Sequence, residues 1–411
     1  MNLKLAHYSK PINGSIQITG SKSESNRLLI LQQFFQNLQI KNLGNSDDAQ
    51  YMQKALASKL ELVDIHHAGT AMRFLTAYFS VAKGRDTILT GSKRMKERPI
   101  KLLVDALKSL GADISYLENE GYPPIKITGK KLSNNKVTIN GSVSSQYISA
   151  LLLIAPSLEN GLELTFEGKV TSIPYINMTL GLLTELGIEN SWKENVVKVS
   201  ATEFINDKTA TVESDWSSAS YYYSLAALSE SAKIILNSYK QNSLQGDSVL
   251  AEIYQHFGVK TTFVENSIVL EKGATTNLQP LSFNFKNAPD IAQTIAVTCF
   301  GLGVSCDLTG LHTLKIKETD RLEALKSELT KLGAEIEVTD KSLHLKASTK
   351  INSEVLIKTF DDHRMAMAFA PLLLKTSLEI EDGNVVSKSY PDFWKDIDQL
   401  TVGRFQILKN K

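Results

Sequence analysis

The sequence predicts an α/β protein of two domains, each built from three copies of one helix-and-strand unit. The length of 411 residues exceeds what a single ordinary core holds. One amphipathic helix pattern, closed by glycine and followed by alternating strands, recurs along the chain. A second helix pattern recurs out of phase with the first. Regular spacing of this kind is typical of a repeated structural unit.

The first helix pattern recurs at nearly constant spacing. It ends at Gly111, Gly187, Gly258 and Gly333, which are 76, 71 and 75 residues apart. Glycine after the last apolar position commonly ends a helix, because it adopts a left-handed backbone without strain. Alternating segments such as IKITG and VVKVS follow and predict strand pairs.

The second helix pattern begins with small or polar residues and continues apolar. Its starts read SKSESNRLL, AGTAMRFLTA, SVSSQYISALLL, SDWSSASYYYSL, APDIAQTIAV and DDHRMAMAFA. They indicate six copies, three in each domain, with the domain joint near Ser214. We therefore expect an N-terminal domain over 21–213 and a C-terminal domain over 214–411.

The first copy is shorter than the others. Only 47 residues separate Lys22 from Gly69. Its helix, around Asp47 to Leu60, leads directly into LVDIHHAGT without a closing glycine and strand pair. We expect the N-terminal domain to lack strands there.

The bulk composition narrows the possible functions. The formal net charge is +1, which argues against a chain-wide nucleic-acid surface. Cys299 and Cys306 lie among apolar residues, as reduced core cysteines do in a cytosolic protein. The N-terminus has no apolar signal-peptide region, and the longest apolar runs are too short to span a bilayer. We expect a cytoplasmic protein that binds neither nucleic acid nor membrane.

Cations cluster where loops lead into the predicted helices. A cation near a helix N-terminus costs about 0.3–1 kcal/mol, because that end of the backbone dipole is positive. Taken alone, each cluster is best interpreted as a solvated surface loop. The clusters recur at equivalent ends of the repeated unit, however, and this recurrence favours anion binding. The cations are Lys22, Arg27, Arg73, Arg94, Lys96, Arg98, Lys315, Lys317, Arg321, Arg364 and Lys388.

Four serines and one glutamine near the same helix starts could bind phosphate or carboxylate oxygens. The serines serve equally well as ordinary helix N-caps. They are Ser23, Ser144, Ser145 and Ser172, and the glutamine is Gln146.

Two carboxylates are candidate proton-transfer groups. Asp290 precedes an apolar helix and is also a plausible N-cap. Glu318 lies beside Lys317 and three residues before Arg321, as in an ordinary salt-bridged helix start. A carboxylate held among cations stays ionised and can act as a base.

Metal and nucleotide motifs are absent from the sequence. The seven histidines show no zinc spacing, and no P-loop or dinucleotide glycine motif occurs. His363 in DDHR reads as structural. We expect no metal and no cofactor.

Eight segments in order resemble the motifs of the 5-enolpyruvylshikimate-3-phosphate synthase (3-phosphoshikimate 1-carboxyvinyltransferase) family. They are GSKSESNR, AGTAMR, RMKERPI, GSVSSQY, SSASY, KETDRL, DDHRMAM and SYPDFW. The resemblance implies two similar domains of three βαβαββ units each, an inside-out α/β barrel. It places residues 1–20 with the C-terminal domain and the active site in the cleft between domains.

The family's reaction moves the enolpyruvyl group of phosphoenolpyruvate to the 5-hydroxyl of shikimate 3-phosphate and releases phosphate. The resemblance implies this step of aromatic amino-acid biosynthesis, without metal or cofactor, in a monomer. At Thr313, His67 and Phe74 the chain departs from the family's usual Asn, Asn and Pro.

The resemblance also assigns roles to individual residues. The implied catalytic residues are Lys22, Asp290 and Glu318. The implied shikimate 3-phosphate ligands are Lys22, Ser23, Arg27, Ser144, Ser145, Gln146, Ser172, Asp290 and Lys317. The implied phosphoenolpyruvate ligands are Lys22, Gly69, Arg98, Gln146, Arg321, Arg364 and Lys388.

Two alternatives remain at this level. UDP-N-acetylglucosamine enolpyruvyl transferase shares the fold and donor, but it typically carries a cysteine in the loop that reads GSKRMKERPI here. A non-catalytic protein that binds phosphorylated ligands is the second alternative.

Overall fold

The computed structural model describes residues 1–142, 144–171, 173–273, 278–402 and 405–408, the last segment as backbone only. The chain divides into two compact units. We call Gly20–Val212 the central unit, and Met1–Thr19 with Glu213–Lys411 the flanking unit. Each boundary lies one residue before the one that the repeat count predicts.

The central unit contains the following elements, numbered along the whole chain after β1 (Asn2–Leu5) and β2 (Ile12–Ile16). Its helices are α1 (Lys22–Phe34), α2 (Asp47–Ala57), α3 (Gly69–Val81), α4 (Lys93–Lys96), α5 (Lys101–Ser109), α6 (Ser145–Ile154) and α7 (Ile173–Glu185). Its strands are β3 (Leu38–Lys41), β4 (Leu62–Asp64), β5 (Asp86–Thr90), β6 (Asp113–Tyr116), β7 (Ile125–Thr128), β8 (Lys136–Asn140), β9 (Leu162–Glu167), β10 (Asn190–Lys193), β11 (Val196–Val199) and β12 (Lys208–Thr211).

The flanking unit contains β1, β2 and the elements after Val212. Its helices are α8 (Trp216–Leu228), α9 (Leu250–Ile253), α10 (Ala292–Leu302), α11 (Arg321–Lys331), α12 (His363–Phe369) and α13 (Phe393–Thr401). Its strands are β13 (Ala232–Asn237), β14 (Val259–Val264), β15 (Ser267–Lys272), β16 (Leu281–Asn284), β17 (Cys306–Thr309), β18 (Ile336–Val338), β19 (Ser342–Leu345), β20 (Val355–Ile357), β21 (Leu378–Ile380) and β22 (Phe405–Leu408).

The repeat is visible in the sheets. The four-stranded sheets of the described residues have the orders β4-β5-β7-β6, β10-β11-β9-β8, β14-β15-β13-β2, β16-β17-β19-β18 and β20-β21-β1-β22. Each contains one parallel pair at one edge and antiparallel pairs elsewhere, as in β4 with β5 and β5 with β7. The predicted α/β class is confirmed.

The first copy is reduced, as predicted. Its sheet pairs only β3 with β12 among the described residues. Helix α2 ends at Ala57, where Ser58 turns to an extended backbone, so the chain reaches β4 without a glycine-closed helix and strand pair.

The four glycines that end the first helix pattern all adopt positive φ. The values are +103° at Gly111, +82° at Gly187, +76° at Gly258 and +102° at Gly333. A side chain at such a position would be strained, so glycine is the residue that ends each helix and directs the chain into the strand pair.

The second helix set forms the interior of each unit. In the flanking unit every residue of α8 and of α12 is buried, and α10 packs against both. In the central unit α3 packs against α1 and α6. A helix that is apolar around its whole circumference is stable only when surrounded by protein, which explains why these helices lie inside the sheets. No helix of the described residues is long and apolar enough to cross a membrane.

Candidate active site

Helix α1 begins at the polar stretch that carries the first cations. Lys22 is its first residue, and the Ser21 side chain before it forms no capping hydrogen bond. Within the described ranges, no residue forms a hydrogen bond or ion pair with the Lys22 ammonium. This helix start therefore presents an ammonium group with no bonded partner among the described residues, although Glu24 lies in the same first turn.

Arg27 is buried one turn further along α1, with 2% of its surface exposed. Its Nε donates to Thr179 Oγ1 at 2.8 Å, and its Nη1 donates to the Ser23 carbonyl at 2.7 Å. Its Nη2 donates to Ser149 Oγ at 2.9 Å and to the Tyr175 carbonyl at 3.1 Å. All these acceptors are neutral.

Burial lowers the pKa of Arg27 to about 10, so the side chain is still a cation at neutral pH. A guanidinium has five N–H groups, and the neutral acceptors occupy four of them. One N–H on Nη1 remains for a ligand. Phe74, where the resembled family usually has proline, places its ring centroid 5.4 Å from the Arg27 guanidinium carbon.

Gly69, the first residue of α3, lies against Arg98. A Cβ at position 69 would be 2.5 Å from Arg98 Nη1 and 3.1 Å from its Cζ. Any side chain there would displace the guanidinium. Within the part of the chain that the structure describes, the Arg98 guanidinium forms no hydrogen bond or ion pair.

Arg73 supports this arrangement, although sequence reasoning assigned no specific role to it. It is 4% exposed, and its Nη1 donates to the Gly69 carbonyl at 3.0 Å. Its Nη2 donates to the Pro99 carbonyl at 3.3 Å, which also accepts from Tyr147 Oη at 2.6 Å. Burial, followed by the charge of Arg98, lowers the pKa of Arg73 to about 10. Arg73 thus fixes the backbone on both sides of the Gly69–Arg98 contact.

The start of α6 carries the predicted polar ligands. Ser144 is its N-cap, and its Oγ accepts from the Gln146 backbone N–H at 3.4 Å. Ser145 is the first residue of the helix. Gln146 Nε2 donates to Thr70 Oγ1 at 3.3 Å and so joins the starts of α6 and α3. Ser172 lies outside the described residues.

We call Lys22, Arg27, Gly69, Arg73, Arg98 and Gln146 the central cluster. Among the described residues its cations donate to neutral atoms and form no ion pair, so the cluster is suited to receive anions.

Asp290 is the centre of a second cluster, in the flanking unit. It lies in a 3-10 turn, Pro289–Ile291, directly before α10, and it is not the helix N-cap, a position held by Ile291. Its Oδ1 is 3.3 Å from Lys317 Nζ and 3.0 Å from Arg321 Nη1. Its Oδ2 is 3.3 Å from Arg364 Nη2. Three cations therefore surround one carboxylate.

Arg321 joins three carboxylates. Its Nε donates to Asp362 Oδ2 at 2.6 Å, and its Nη2 donates to Glu318 Oε2 at 2.8 Å. Its Nη1 donates to Asp290 Oδ1 at 3.0 Å. Burial opposes the charge, but Asp362, Glu318 and Asp290 outweigh it and raise the pKa of Arg321. The two predicted proton-transfer carboxylates thus share one arginine.

Arg364 gathers the starts of three interior helices. Its Nη1 donates to the Asp290 carbonyl at 3.1 Å, and its Nη2 donates to Ser217 Oγ at 3.3 Å. Burial opposes the charge of Arg364, but the negative charge of Asp290 outweighs it and raises the pKa of Arg364 well above its usual value. We call Asp290, Lys317, Glu318, Arg321, Asp362 and Arg364 the flanking cluster.

Lys388, the last predicted phosphoenolpyruvate ligand, lies at the end of the 3-10 turn Gly383–Lys388. Its ammonium donates to the Asp361 carbonyl, next to Asp362. A single neutral acceptor leaves two of its three N–H groups for a ligand.

Sequence reasoning missed Asp362, Ser217 and Asp247. Asp362 reads as an N-cap and is one, since it accepts from the Arg364 backbone N–H at 2.8 Å. Its bond to Arg321 spans 41 residues and has no local signal. His363 is buried, as a structural residue would be.

The central cluster offers cationic donors, and the flanking cluster offers two carboxylates within reach of cations. No group of three or more His, Cys, Asp or Glu among the described residues is arranged to hold a metal ion.

Comparisons with known proteins identify the family. The family model described as EPSP synthase (3-phosphoshikimate 1-carboxyvinyltransferase) matches residues 58–397. A 3-phosphoshikimate 1-carboxyvinyltransferase of Bacteroides fragilis (strain YCH46) is 46% identical over 396 residues, covering 95% of this chain and 96% of that protein. One of Mannheimia haemolytica is 37% identical over 426 residues, covering 95% and 97%.

A solved structure also shares the fold. The EPSP synthase of Acinetobacter baumannii superposes with a TM-score of 0.82 at 20% identity, covering 99% of this chain and 100% of that one. This likeness concerns the fold, and the relatives above concern the family. The chain belongs to the EPSP synthase (3-phosphoshikimate 1-carboxyvinyltransferase) family.

Proposed function

We propose that this protein transfers the enolpyruvyl group of phosphoenolpyruvate to the 5-hydroxyl of shikimate 3-phosphate and releases phosphate. The chain is a transferase of the shikimate pathway, which leads to the aromatic amino acids. The observation that carries the mechanism is the sharing of Arg321 by Asp290 and Glu318, at 3.0 and 2.8 Å. Two carboxylates next to cations suit a reaction that moves one proton on and another off.

The central cluster and the serines near it supply most of the proposed acceptor site. We assign Lys22, Ser23, Arg27, Ser144, Ser145, Gln146 and Ser172 to shikimate 3-phosphate, together with Asp290 and Lys317. Arg27 contributes through its remaining N–H, because its other donors hold the protein together. Ser144 can bind a phosphate oxygen through its hydroxyl hydrogen while its oxygen caps α6.

Most of the proposed phosphoenolpyruvate ligands are cations. We assign Lys22, Gly69, Arg98, Gln146, Arg321, Arg364 and Lys388 to it. Arginines that bind carboxylate or phosphate through two nitrogens also fix its orientation. Arg321 can keep its Nε bond to Asp362 while another nitrogen exchanges a protein carboxylate for the substrate.

The chemistry takes two steps. In the first, the 5-hydroxyl oxygen bonds to C2 of phosphoenolpyruvate, its proton passes to Asp290, and the methylene carbon gains a proton to become methyl. In the second, the bond from C2 to the phosphate oxygen breaks, and the methyl group loses a proton to restore the alkene. Glu318, with Lys22, transfers protons to and from the methylene carbon and the leaving phosphate. Each group therefore acts as both acid and base.

Binding residues come from both units, so we propose that the substrates bind between the units and that closure excludes water. Two polyanions repel each other, and the cations of both clusters offset that repulsion. Holding hydroxyl and alkene in attack geometry can lower the barrier by about 7–11 kcal/mol. We further propose that the protein works in the cytoplasm as a monomer, which light scattering at working concentration would test.

An acceptor-dependence assay tests the function. Phosphate release from phosphoenolpyruvate is measured with shikimate 3-phosphate, with UDP-N-acetylglucosamine, and with neither. We expect release only with shikimate 3-phosphate. Release only with the sugar nucleotide would overturn the acceptor, and no release with either would overturn the catalytic assignment.

A further inference from the structure

One buried carboxylate near the flanking cluster has no role in the proposed mechanism. Asp247 lies in the 3-10 turn Gly246–Val249 and is 7% exposed. Among the described residues, no cation lies within 4.0 Å of its carboxylate. A buried carboxylate without a cationic partner lowers the stability of the fold. Its presence here suggests that it has a function.

Asp247 connects to Arg364 through one hydroxyl. The Ser217 hydroxyl, at the start of α8, donates to Asp247 Oδ2. The same Ser217 oxygen accepts from Arg364 Nη2 at 3.3 Å. The hydrogen bonds therefore run in one direction, from Arg364 to Ser217 to Asp247. Because the serine proton is committed to Asp247, the serine oxygen is always turned to accept from the arginine.

This connection fixes Nη2 of Arg364, and the same guanidinium must also interact with Asp290 and with a bound anion. Arg364 Nη2 is also 3.3 Å from Asp290 Oδ2. A bound anion must approach the same guanidinium, so the position of Nη2 decides how well the arginine meets it. A serine hydroxyl that donates to a buried carboxylate keeps a fixed orientation toward the arginine. Without that carboxylate the hydroxyl could rotate away from the arginine.

We propose that Asp247, acting through the Ser217 hydroxyl, is a positioning residue that aims Arg364 at phosphoenolpyruvate. The proposal rests on the proposed function, in which Arg364 binds that substrate. Asp247 itself touches no reacting atom.

The charge of Asp247 adds a pH dependence to this role. Burial, followed by the charge of Asp290, raises the pKa of Asp247 to about 7. The Ser217 hydrogen bond and Arg364 oppose that rise, and Asp215 adds to it. Above pH 7 the ionised carboxylate holds Arg364 more firmly and repels an incoming anion. Below pH 7 the neutral group keeps the geometry without the repulsion.

Steady-state kinetics on four proteins test the proposal. KM for each substrate and kcat are measured for wild type, Ser217→Ala, Asp247→Ala and Asp247→Asn at pH 6, 7 and 8. We expect Ser217→Ala and Asp247→Ala to raise KM for phosphoenolpyruvate about tenfold at pH 7, with KM for shikimate 3-phosphate within about twofold of wild type. Asparagine can still accept from Ser217, so Asp247→Asn should restore most of the affinity.

The ratio of wild-type KM to Asp247→Asn KM for phosphoenolpyruvate should rise at least about threefold from pH 6 to pH 8. Taking this ratio cancels the titration of the substrate and of other residues. It also keeps the proposal testable if Ser217→Ala or Asp247→Ala fails to fold. A purely structural role for Asp247 would leave the ratio constant.

Glu328→Gln is the matched control. Glu328 is a fully buried carboxylate of the same unit that accepts from the Ser327 hydroxyl at 3.3 Å and pairs with Lys331 Nζ at 2.6 Å, but it has no bond to Arg364. It should leave both KM values within about twofold of wild type. Unchanged phosphoenolpyruvate KM in the alanine variants, an equal rise for both substrates, a flat ratio, or the same effect in Glu328→Gln would each overturn the proposal.

Wild-type turnover separates this inference from the proposed function. If wild type does not turn over with shikimate 3-phosphate, the proposed function fails. Phosphoenolpyruvate binding to the same variants is then measured by calorimetry. A tenfold loss in the alanine variants supports the positioning role, and equal affinities reject it.

Discussion

The buried arginines of the central cluster and those of the flanking cluster differ in their bonding partners. In the central cluster, Arg27 and Arg73 are buried cations that donate to carbonyl, hydroxyl or sulfur atoms. In the flanking cluster, Arg321 and Arg364 are buried cations paired with carboxylates. Burial lowers the arginine pKa values in the first cluster, and carboxylates raise them in the second.

The difference separates two tasks. Cations that form no ion pair with a carboxylate have donors available for anions, so we propose that the central cluster serves binding. Carboxylates held beside cations can exchange protons with a substrate, so we propose that the flanking cluster serves the chemistry. Variants that act on one cluster should therefore change different measured quantities from variants that act on the other.

The largest expected effect is on catalysis by the flanking cluster. Glu318→Gln keeps the size of the side chain but removes its ability to take up a proton, so kcat should fall about 10²–10⁴-fold with little change in KM. Glu323→Gln, an exposed position two residues into α11, is the control and should retain wild-type kcat. Turnover of Glu318→Gln within about tenfold of wild type would show that Glu318 is not a proton-transfer group.

The second effect is on stability, and it compares the clusters directly. Asp362→Asn removes the charge paired with Arg321 at 2.6 Å in a fully buried site and should lower the free energy of unfolding by about 3–5 kcal/mol. Ser149→Ala removes one neutral acceptor of Arg27 and should cost about 1–3 kcal/mol. Urea unfolding monitored by circular dichroism measures both. Equal losses would mean that charge pairing does not distinguish the clusters.

The third effect is on binding by the central cluster. Gly69→Ala places a methyl group 2.5 Å from Arg98 Nη1, so the guanidinium must move. KM for phosphoenolpyruvate should rise about tenfold, with a smaller change for shikimate 3-phosphate. Gly273→Ala, where the nearest atom to an added Cβ is 3.9 Å away, is the control. Unaltered phosphoenolpyruvate KM in Gly69→Ala would argue against the role of Arg98 in binding.

The smallest effect is a pH dependence of stability. The folded-state pKa of Asp247 is raised above its unfolded value of about 4, so its protonation stabilises the fold at low pH. That stabilisation is lost as pH rises through about 7, because the buried group must then ionise. Wild type should lose about 1 kcal/mol of unfolding free energy relative to Asp247→Asn between pH 6 and pH 8. Parallel stability curves for the two proteins would contradict the raised pKa.

The clusters also differ in how far the sequence predicts them. The cations of the central cluster are visible, because Lys22, Arg27 and Arg98 lie where helix starts would otherwise favour anionic or neutral residues. The sequence does not reveal that most of the Arg27 N–H groups donate to Thr179, Ser149 and backbone carbonyls. Thr179, Ser149 and the Tyr175 carbonyl lie more than 100 residues away, and nothing local marks them.

The members of the flanking cluster other than Asp362 were predicted, but the connections between them were not. Glu318 stands out beside Lys317, and Asp290 stands out directly before an apolar helix, yet each also reads as an ordinary helix-start residue. Their attachment to the same Arg321, and that of Arg321 to Asp362, depends on bringing three chain segments together. Asp247 carries no sequence signal, since its significance comes only from burial beside Ser217.

The sequence by itself determined the repeated α/β architecture, the shortened first copy and the helix starts that carry the charged residues. These follow from local periodicity and from glycine's access to positive φ, which depend on near neighbours in the chain. The tertiary structure alone decided which cations are paired and which are uncompensated. Pairing depends on distance and on exclusion of water, and both are set by residues that are remote in sequence.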